Sequence, residues 1–392
     1  MNDVLFKYAE DISPAYVVDM DGFSADYESL RTAFAKQYPT IIAQSFKTNY
    51  SKCIVKHGLT HDGMAEVVSP EEYDYALDLG YTPKKIVLNG VCKNLTVLEK
   101  AFVGGSVINL DSLSDAKRLM FVLQMNRHKI DRGVGIRLNF DVGTGIPSRF
   151  GVEPFGEEFN DMVELLKDSG IPVVGLHSHF HKARNAKHWR TRCETMAEIA
   201  KKIGGIKYLD LGGSMYSKLN DDMKAHFNEP VPDYDEYARI AGEVMFKNFG
   251  YDGIQLIIEP GTPLLAHNGY VVTRVLDIKR IGDRKYAILD ISSHDVYSMS
   301  QYRQIPLTVK PTATEREYGT YDMVGCTCVE EDFVSQAYEG ELGIGDTVIL
   351  ENVGAYCMSM ASDFIRPKLK TYKLENGEMY TVHVGKQFEE II

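Results

Sequence analysis

The chain is 392 residues long, 44% apolar and 25% charged, with a formal net charge of −12. That length predicts two domains, and the composition is that of an ordinary globular protein. The acidic balance excludes nucleic acid and anionic membrane as main partners, and no apolar run is long enough to span a bilayer.

The first residues, MNDVLFKYAEDISPAY, are too acidic and too interrupted for a signal peptide. The six cysteines (Cys53, Cys92, Cys193, Cys326, Cys328, Cys357) show no disulfide rhythm, so reduced thiols in a cytoplasm are expected. After Asp11-Ile12-Ser13-Pro14 comes a β-like run, 15–19, and then a helical stretch from about 26 to 37. Apolar runs of strand length then alternate with amphipathic helical segments. The runs are 41–46, 65–69, 85–90, 107–112, 133–140, 173–180, 206–213 and 255–261. Pro70-Glu71-Glu72 opens one of the helices with a favourable proline and two acids.

Eight runs joined by helices predict an α/β fold, a parallel (β/α)8 barrel; a doubly wound open sheet is the alternative. After residue 266 the texture changes to strand-like runs without helices, at 270–278, 286–291, 346–351 and 371–384. The expected domains are a barrel at 24–265 and a mainly β domain at 266–392, joined by residues 1–23.

In a barrel the active site lies at the strand ends. The first run ends at Lys47, and a desolvated, partly neutral lysine can form a Schiff base with an aldehyde cofactor. The second run carries Glu66, the sixth His177, His179 and His181, the seventh Gly212-Gly213-Ser214, and the eighth Glu259-Pro260-Gly261. Each alone has a bland explanation: a solvent-reaching lysine, a tight turn, a strand end. Together they describe an amine, an aromatic ring, a phosphate anchor and a carboxylate on one face.

The motifs SFKTNY around Lys47, EVVSPEE at 66–72, GLHSHF at 175–180, DLGGS at 210–214, EPG at 259–261, GCTCVEED at 325–332 and GAYCMSMAS at 354–362 follow in order along almost the whole chain. In this the chain resembles the fold-type III pyridoxal-phosphate decarboxylases, the group of the diaminopimelate, ornithine and carboxynorspermidine enzymes. The resemblance implies an alanine racemase-type barrel followed by a β domain, pyridoxal 5'-phosphate as cofactor, and removal of an amino acid's α-carboxylate. It implies that Lys47 holds the cofactor as an aldimine, that His179 stacks on its ring and that Glu259 pairs with the pyridine nitrogen. Gly212, Gly213, Ser214, Gly261 and Tyr356 would bind the phosphate, with Glu66 and Arg137 close to the cofactor. Cys328 would return a proton to the quinonoid from the partner subunit of a homodimer with shared sites. Arg303, Val329 and Asp332 fall in the region where such enzymes contact substrate.

Three departures stand out. Thr262 follows EPG where an arginine is common, Lys182 falls near the usual small Gly-Ser segment after the stacking histidine, and Val329 stands in place of the acid that receives a substrate's distal ammonium in the diaminopimelate and ornithine enzymes. An amino-acid racemase or epimerase and a non-catalytic cofactor-binding homologue are the alternatives. An acid at 259 favours decarboxylation, and retention of both Lys47 and Cys328 favours an enzyme. A metal-hydrolase reading of the three alternating histidines leaves Lys47 and the glycine loop unexplained, and Cys326-x-Cys328 lacks zinc-knuckle spacing, so no metal is expected.

Overall fold

A computed structural model of the protein describes residues 1–383 apart from 147, 220, 225, 226, 228, 252 and 301. The chain divides into two compact units, one of residues 26–47 and 54–263, the other of 1–25, 48–53 and 264–392.

The first unit is a closed barrel of eight parallel strands: Thr40–Ser45, Met64–Val67, Ile86–Leu88, Val107–Leu110, Val134–Arg137, Val173–His177, Tyr208–Asp210 and Gln255–Ile258. Closure comes from the first and last strands, with Thr40, Ile41 and Ile42 opposite Leu256, Ile257 and Ile258. Six of the strands fall within predicted runs, and Thr40–Ser45 and Met64–Val67 begin one residue before theirs. Ala43, Met64, Val87, Tyr208 and Ile257 form a buried apolar cluster, contributed by strands from around the barrel. Tyr208 needs two strand glycines: a Cβ on Gly175 would sit 1.9 Å from its ring and one on Gly135 2.2 Å from its hydroxyl. Several of the helices between strands begin on side-chain caps, among them those capped by Ser69, Asn94, Ser112, Asn185 and Asp233. Ser69 Oγ accepts from Glu72 N at 3.1 Å while Glu72 Oε2 accepts from Val68 N at 2.7 Å, starting the helix Pro70–Asp78 on the proline named above.

In the second unit, Ala15–Asp19 runs antiparallel to Gly269–Ile281 and parallel to Lys370–Glu375. Thr347–Leu350 bonds to Gly269–Ile281 and to Leu307–Lys310. On the other side Arg284–Leu289 leads to Glu317–Val324 and then to Phe333–Leu342. The core of this sheet includes Tyr16, Val271, Leu289, Tyr321, Val348 and Leu350. A second cluster seats Leu5, Ala9 and Ile12 of the helix Asn2–Ile12 on Val17, Val272 and Ile349.

Three strands lack a predicted run: Leu307–Lys310, Glu317–Val324 and Phe333–Leu342. They are half-buried or exposed for much of their length, which blurs the alternation that marks a strand. The last predicted run is a hairpin, Lys370–Glu375 and Glu378–His383, turning at Asn376-Gly377 with φ of 54° and 77°. Val384, the end of that run, lies outside the described residues.

Candidate active site

The barrel unit brings Lys47, Glu66, His179 and Glu259 into linked hydrogen-bond sets at its strand ends. Lys47 sits in the 3-10 turn Phe46–Thr48 that follows the first strand. Its Nζ donates to Ser45 Oγ at 2.9 Å and to Glu66 Oε2. Glu66 is buried on the second strand and also accepts from Ser45 Oγ at 2.6 Å and Asn89 Nδ2 at 3.2 Å. Asn89 Nδ2 donates further to Glu259 Oε1. Asn109 Nδ2 bonds to Asn89 Oδ1 at 2.9 Å and to Asp210 Oδ2 at 3.3 Å, and Tyr208 donates its hydroxyl to Asn109 Oδ1 at 2.8 Å. A chain of buried amides therefore joins the lysine end of the site to its carboxylate end.

His177, Asp210 and Glu259 place ligand-type atoms within 4.8 Å of one another. Burial raises Glu259, but His177 and then Lys47 outweigh it and hold the carboxyl well below its ordinary range. Asp210 moves the other way: burial, and then the charge of Glu259, push it well above the usual carboxylate range. One carboxyl is thus an anion and its neighbour a neutral acid, as expected when two buried carboxyls cannot both ionise. His177 is driven down by burial against the pull of Glu259. A neutral ring 3.3 Å from a carboxylate must carry its proton on Nε2, and Nδ1 has no partner among the described residues. Because Asp210 is neutral, Asp210→Asn is expected to leave cofactor affinity within about threefold. Asp210→Leu, which cannot accept from Gly212 N (3.0 Å), should weaken it by at least about tenfold in equilibrium dialysis.

His179 is held well below the ordinary histidine range by burial and by the Lys47 charge. Its Nδ1 accepts from Gly213 N at 3.1 Å, and Nε2 lies 3.5 Å from Ser214 Oγ. The glycine loop is built for close approach. A Cβ on Gly212 would meet Ser178 O at 2.6 Å, and one on Gly213 would meet Glu259 O at 2.7 Å. Ser214 takes a left-handed φ of 65°, unusual for a residue with a side chain. The three histidines do not share one face, because the strand ends at His177 and the chain turns: His177 meets Glu259, His179 meets the glycine loop and His181 is exposed. Arg137 is buried at the end of its strand, with Nη1 3.2 Å from Asp111 Oδ1 and its guanidinium 4.6 Å from the Phe150 ring centre. Gly261 follows the strand Gln255–Ile258, and Pro260 O accepts from Ser45 N at 3.3 Å.

The second unit carries the remaining residues. Cys328 is exposed and Val329 half-buried on the 325–332 turn. Asp332 is buried below them and accepts from Ser292 Oγ (3.1 Å), Ser293 N (2.7 Å), Thr327 N (3.1 Å) and Thr327 Oγ1 (2.5 Å). Its oxygens are therefore taken up in bracing the turn. A Cβ on Gly325 would lie 2.2 Å from Asp332 Oδ2, so that glycine admits the brace. Tyr356 has a left-handed φ of 63°, and its N–H donates to Thr48 O at 2.9 Å. Arg303 is exposed, with its carbonyl accepting from Gln336 N at 2.7 Å.

Asn89, Asn109, Asp210 and Arg192 were missed as site residues. Asn89 and Asp210 had a visible signal, since both stand at ends of predicted runs. Arg192 had a subtler one: it shares the stripe Trp189, Arg192, Cys193, Met196 and Ala200, all buried on the helix Ala186–Ile203. An arginine there must find acceptors inside the protein.

The residues fit pyridoxal phosphate: an amine at a strand end, a buried anion, a neutral imidazole and a loop with no room for side chains. Residues 23–266 match the family model of the pyridoxal-dependent decarboxylases, pyridoxal binding domain. Diaminopimelate decarboxylase of Helicobacter pylori strain J99 is 26% identical over 394 residues, covering 97% of this chain and 94% of that protein. The Aquifex aeolicus enzyme of the same name is 25% identical over 398 residues, covering 97% and 91%. The crystal structure of Helicobacter pylori diaminopimelate decarboxylase complexed with L-lysine matches with a TM-score of 0.85 at 26% identity, covering 100% of this chain and 98% of that one. With its closed barrel, its mainly β second unit and this match across the barrel, the chain belongs to the pyridoxal-dependent decarboxylases, carboxy-lyases that use pyridoxal phosphate.

Proposed function

We propose that the chain removes the α-carboxylate of an amino acid or amino-acid conjugate, with Lys47 holding the cofactor, Glu259 facing its ring nitrogen and Cys328 returning the proton. The main support is the split between an anionic Glu259 and a neutral Asp210, joined through buried amides to the Lys47 end of the site. Pyridoxal phosphate, when bound, supplies a conjugated ring that accepts the electron pair left behind by the departing carboxylate. An anion at 259 holds a proton at the ring nitrogen, which strengthens that acceptor and favours decarboxylation over racemisation. Ser45 and Glu66 fix Lys47 Nζ, and Glu66 takes up the proton that the amine gives away. His179, kept neutral, offers an uncharged aromatic face, and Gly212, Gly213, Ser214, Gly261 and Tyr356 hold the phosphate. Arg137, tied to Asp111, supports the surrounding field. The working form is a cytoplasmic homodimer with shared sites, built from a 24–265 barrel domain and a 266–392 β domain joined by 1–23.

The deciding experiment is a substrate screen that reads carbon dioxide release and product chirality together. Carbon dioxide with a defined amine product supports decarboxylation. Interconversion of enantiomers without gas would assign a racemase, and cofactor binding with neither would assign a non-catalytic homologue.

Substrate choice follows from the 325–332 turn. Val329 puts an apolar side chain beside Cys328, where an ammonium would need an acid, and Asp332 has its oxygens occupied. The far end of the substrate is therefore not a simple ammonium docked on a carboxylate. Exposed Arg303 is suited to gripping a carboxylate in bidentate fashion. Arg303→Ala is expected to raise the KM for the true substrate by about tenfold or more while the cofactor spectrum stays unchanged. Ornithine, lysine and diaminopimelate should be poor substrates. Efficient turnover of any of them, including the compound for which the similar enzymes are named, overturns this specificity.

A further inference from the structure

Arg192 is a fully buried cation with no ion-pair partner among the described residues. It lies on the helix Ala186–Ile203, with its guanidinium carbon 4.9 Å from the Trp189 ring centre and 5.5 Å from that of Phe180. All its hydrogen bonds go to backbone carbonyls. Nη1 donates to Leu211 O and Gly213 O, both at 2.9 Å, and Nη2 donates to Ala183 O at 3.0 Å. Burial draws its pKa down to about 10, which still leaves it charged at neutral pH. Three carbonyl dipoles and the charge of Glu259, which is not in contact with it, offset only part of the cost of burying this cation, and an anion on the loop would offset more.

The carbonyls that Arg192 grips belong to the glycine loop. Leu211 O and Gly213 O bracket Gly212, whose φ is 63°, and Ser214 follows at 65°. The N–H groups of Ser214 and Met215 make no hydrogen bond among the described residues. Left-handed residues followed by free amides form an anion-binding concavity. One face of the loop is thus engaged with a cation, while its backbone keeps donors available for a ligand.

We infer that Arg192 is a positioning residue that supplies, from the buried side of the Gly212–Ser214 loop, the positive charge that holds a dianionic phosphate there. This rests on assigning the cofactor phosphate to that loop. A charge behind the peptide plane, shielded from water, acts on the ligand through a low-dielectric medium and is little screened by salt.

The test compares binding of pyridoxal phosphate and of pyridoxal, which lacks the phosphate, to the full-length protein resolved of cofactor. It uses wild type, Arg192→Gln (neutral, with an amide donor retained) and Arg192→Lys (charge retained). Wild type should prefer the phosphorylated ligand by about a hundredfold or more. Arg192→Gln should weaken pyridoxal phosphate by at least about tenfold and pyridoxal by less than about threefold, and Arg192→Lys should restore most of the preference. Equal weakening of both ligands in the glutamine variant would make Arg192 merely structural, and no weakening of either would make it irrelevant; both overturn the inference. If the glutamine variant does not fold, the lysine variant decides, because loss of the preference despite the retained charge overturns it as well. Wild type that binds the two ligands alike would instead remove the premise, the phosphate site on this loop.

Discussion

Lys47→Ala loses decarboxylation by at least about a thousandfold, and its absorption changes from that of a covalently held cofactor to that of a free aldehyde. Lys47 is the lysine that the barrel delivers to a strand end with its Nζ fixed by a hydroxyl and a buried carboxylate. Those two partners place the amine, and of the two only the carboxylate can take up its proton. The nearest rival in chemistry is Lys93, which is buried and whose pKa is lowered by that burial. Its Nζ is already given to Asp115 Oδ2 at 2.8 Å and to Gly90 O, and using it would strand Asp115 in the interior. Borohydride reduction followed by peptide mapping should therefore label Lys47 in the wild type and nothing in Lys47→Ala. A label on Lys93 or any other lysine sinks the assignment. The variant should still bind cofactor without the covalent link, because the glycine loop and Glu259 are untouched.

Mixing Lys47→Ala with Cys328→Ala subunits restores about a quarter of wild-type activity. The arithmetic is that of random pairing: half of the dimers are mixed, and in each mixed dimer one of two shared sites has both its lysine and its cysteine. Either variant alone should be nearly inactive. Cys328 is exposed at the tip of a turn that Asp332 braces with four accepted hydrogen bonds, so it is available to a neighbouring subunit and rigidly presented. Activity that stays at the level of the separate variants, after subunit exchange has been verified by mass, would argue that each chain builds its own site. In that case the shared-site dimer falls while the chemistry assigned to Lys47 stands.

Local pattern carried most of the barrel. Eight runs such as 173–180 and 255–261 show their apolar character and their helical neighbours in the sequence, because a strand buried on both faces is locally apolar. Their last residues were legible too, since a lysine, histidines, glycines and a glutamate at strand ends are conspicuous wherever the chain closes. Elsewhere local pattern failed. Phe333–Leu342 pairs with Glu317–Val324 across a register of 25 residues between Glu317 and Leu342, with two irregularities. Half-exposed strands of that kind are set by their partners rather than by alternation. The helix Asn2–Ile12 escaped notice because only Leu5, Ala9 and Ile12 mark its buried side, and that spacing gains meaning when a sheet lies beneath it.

The sequence alone determined which residue types stand at the barrel's strand ends, and hence the chemistry they can perform, because those positions follow from runs that fold locally. Protonation and charge pairing were decided by tertiary structure. Asp210 and Glu259 are both ordinary acids in the sequence; burial 49 positions apart, beside one histidine, makes one neutral and the other an anion. Arg192 is likewise one of many cations until the helix carries it beneath the glycine loop, where three carbonyls and no carboxylate receive it. Desolvation and proximity across the barrel set these states, and neither quantity exists until the strands have closed.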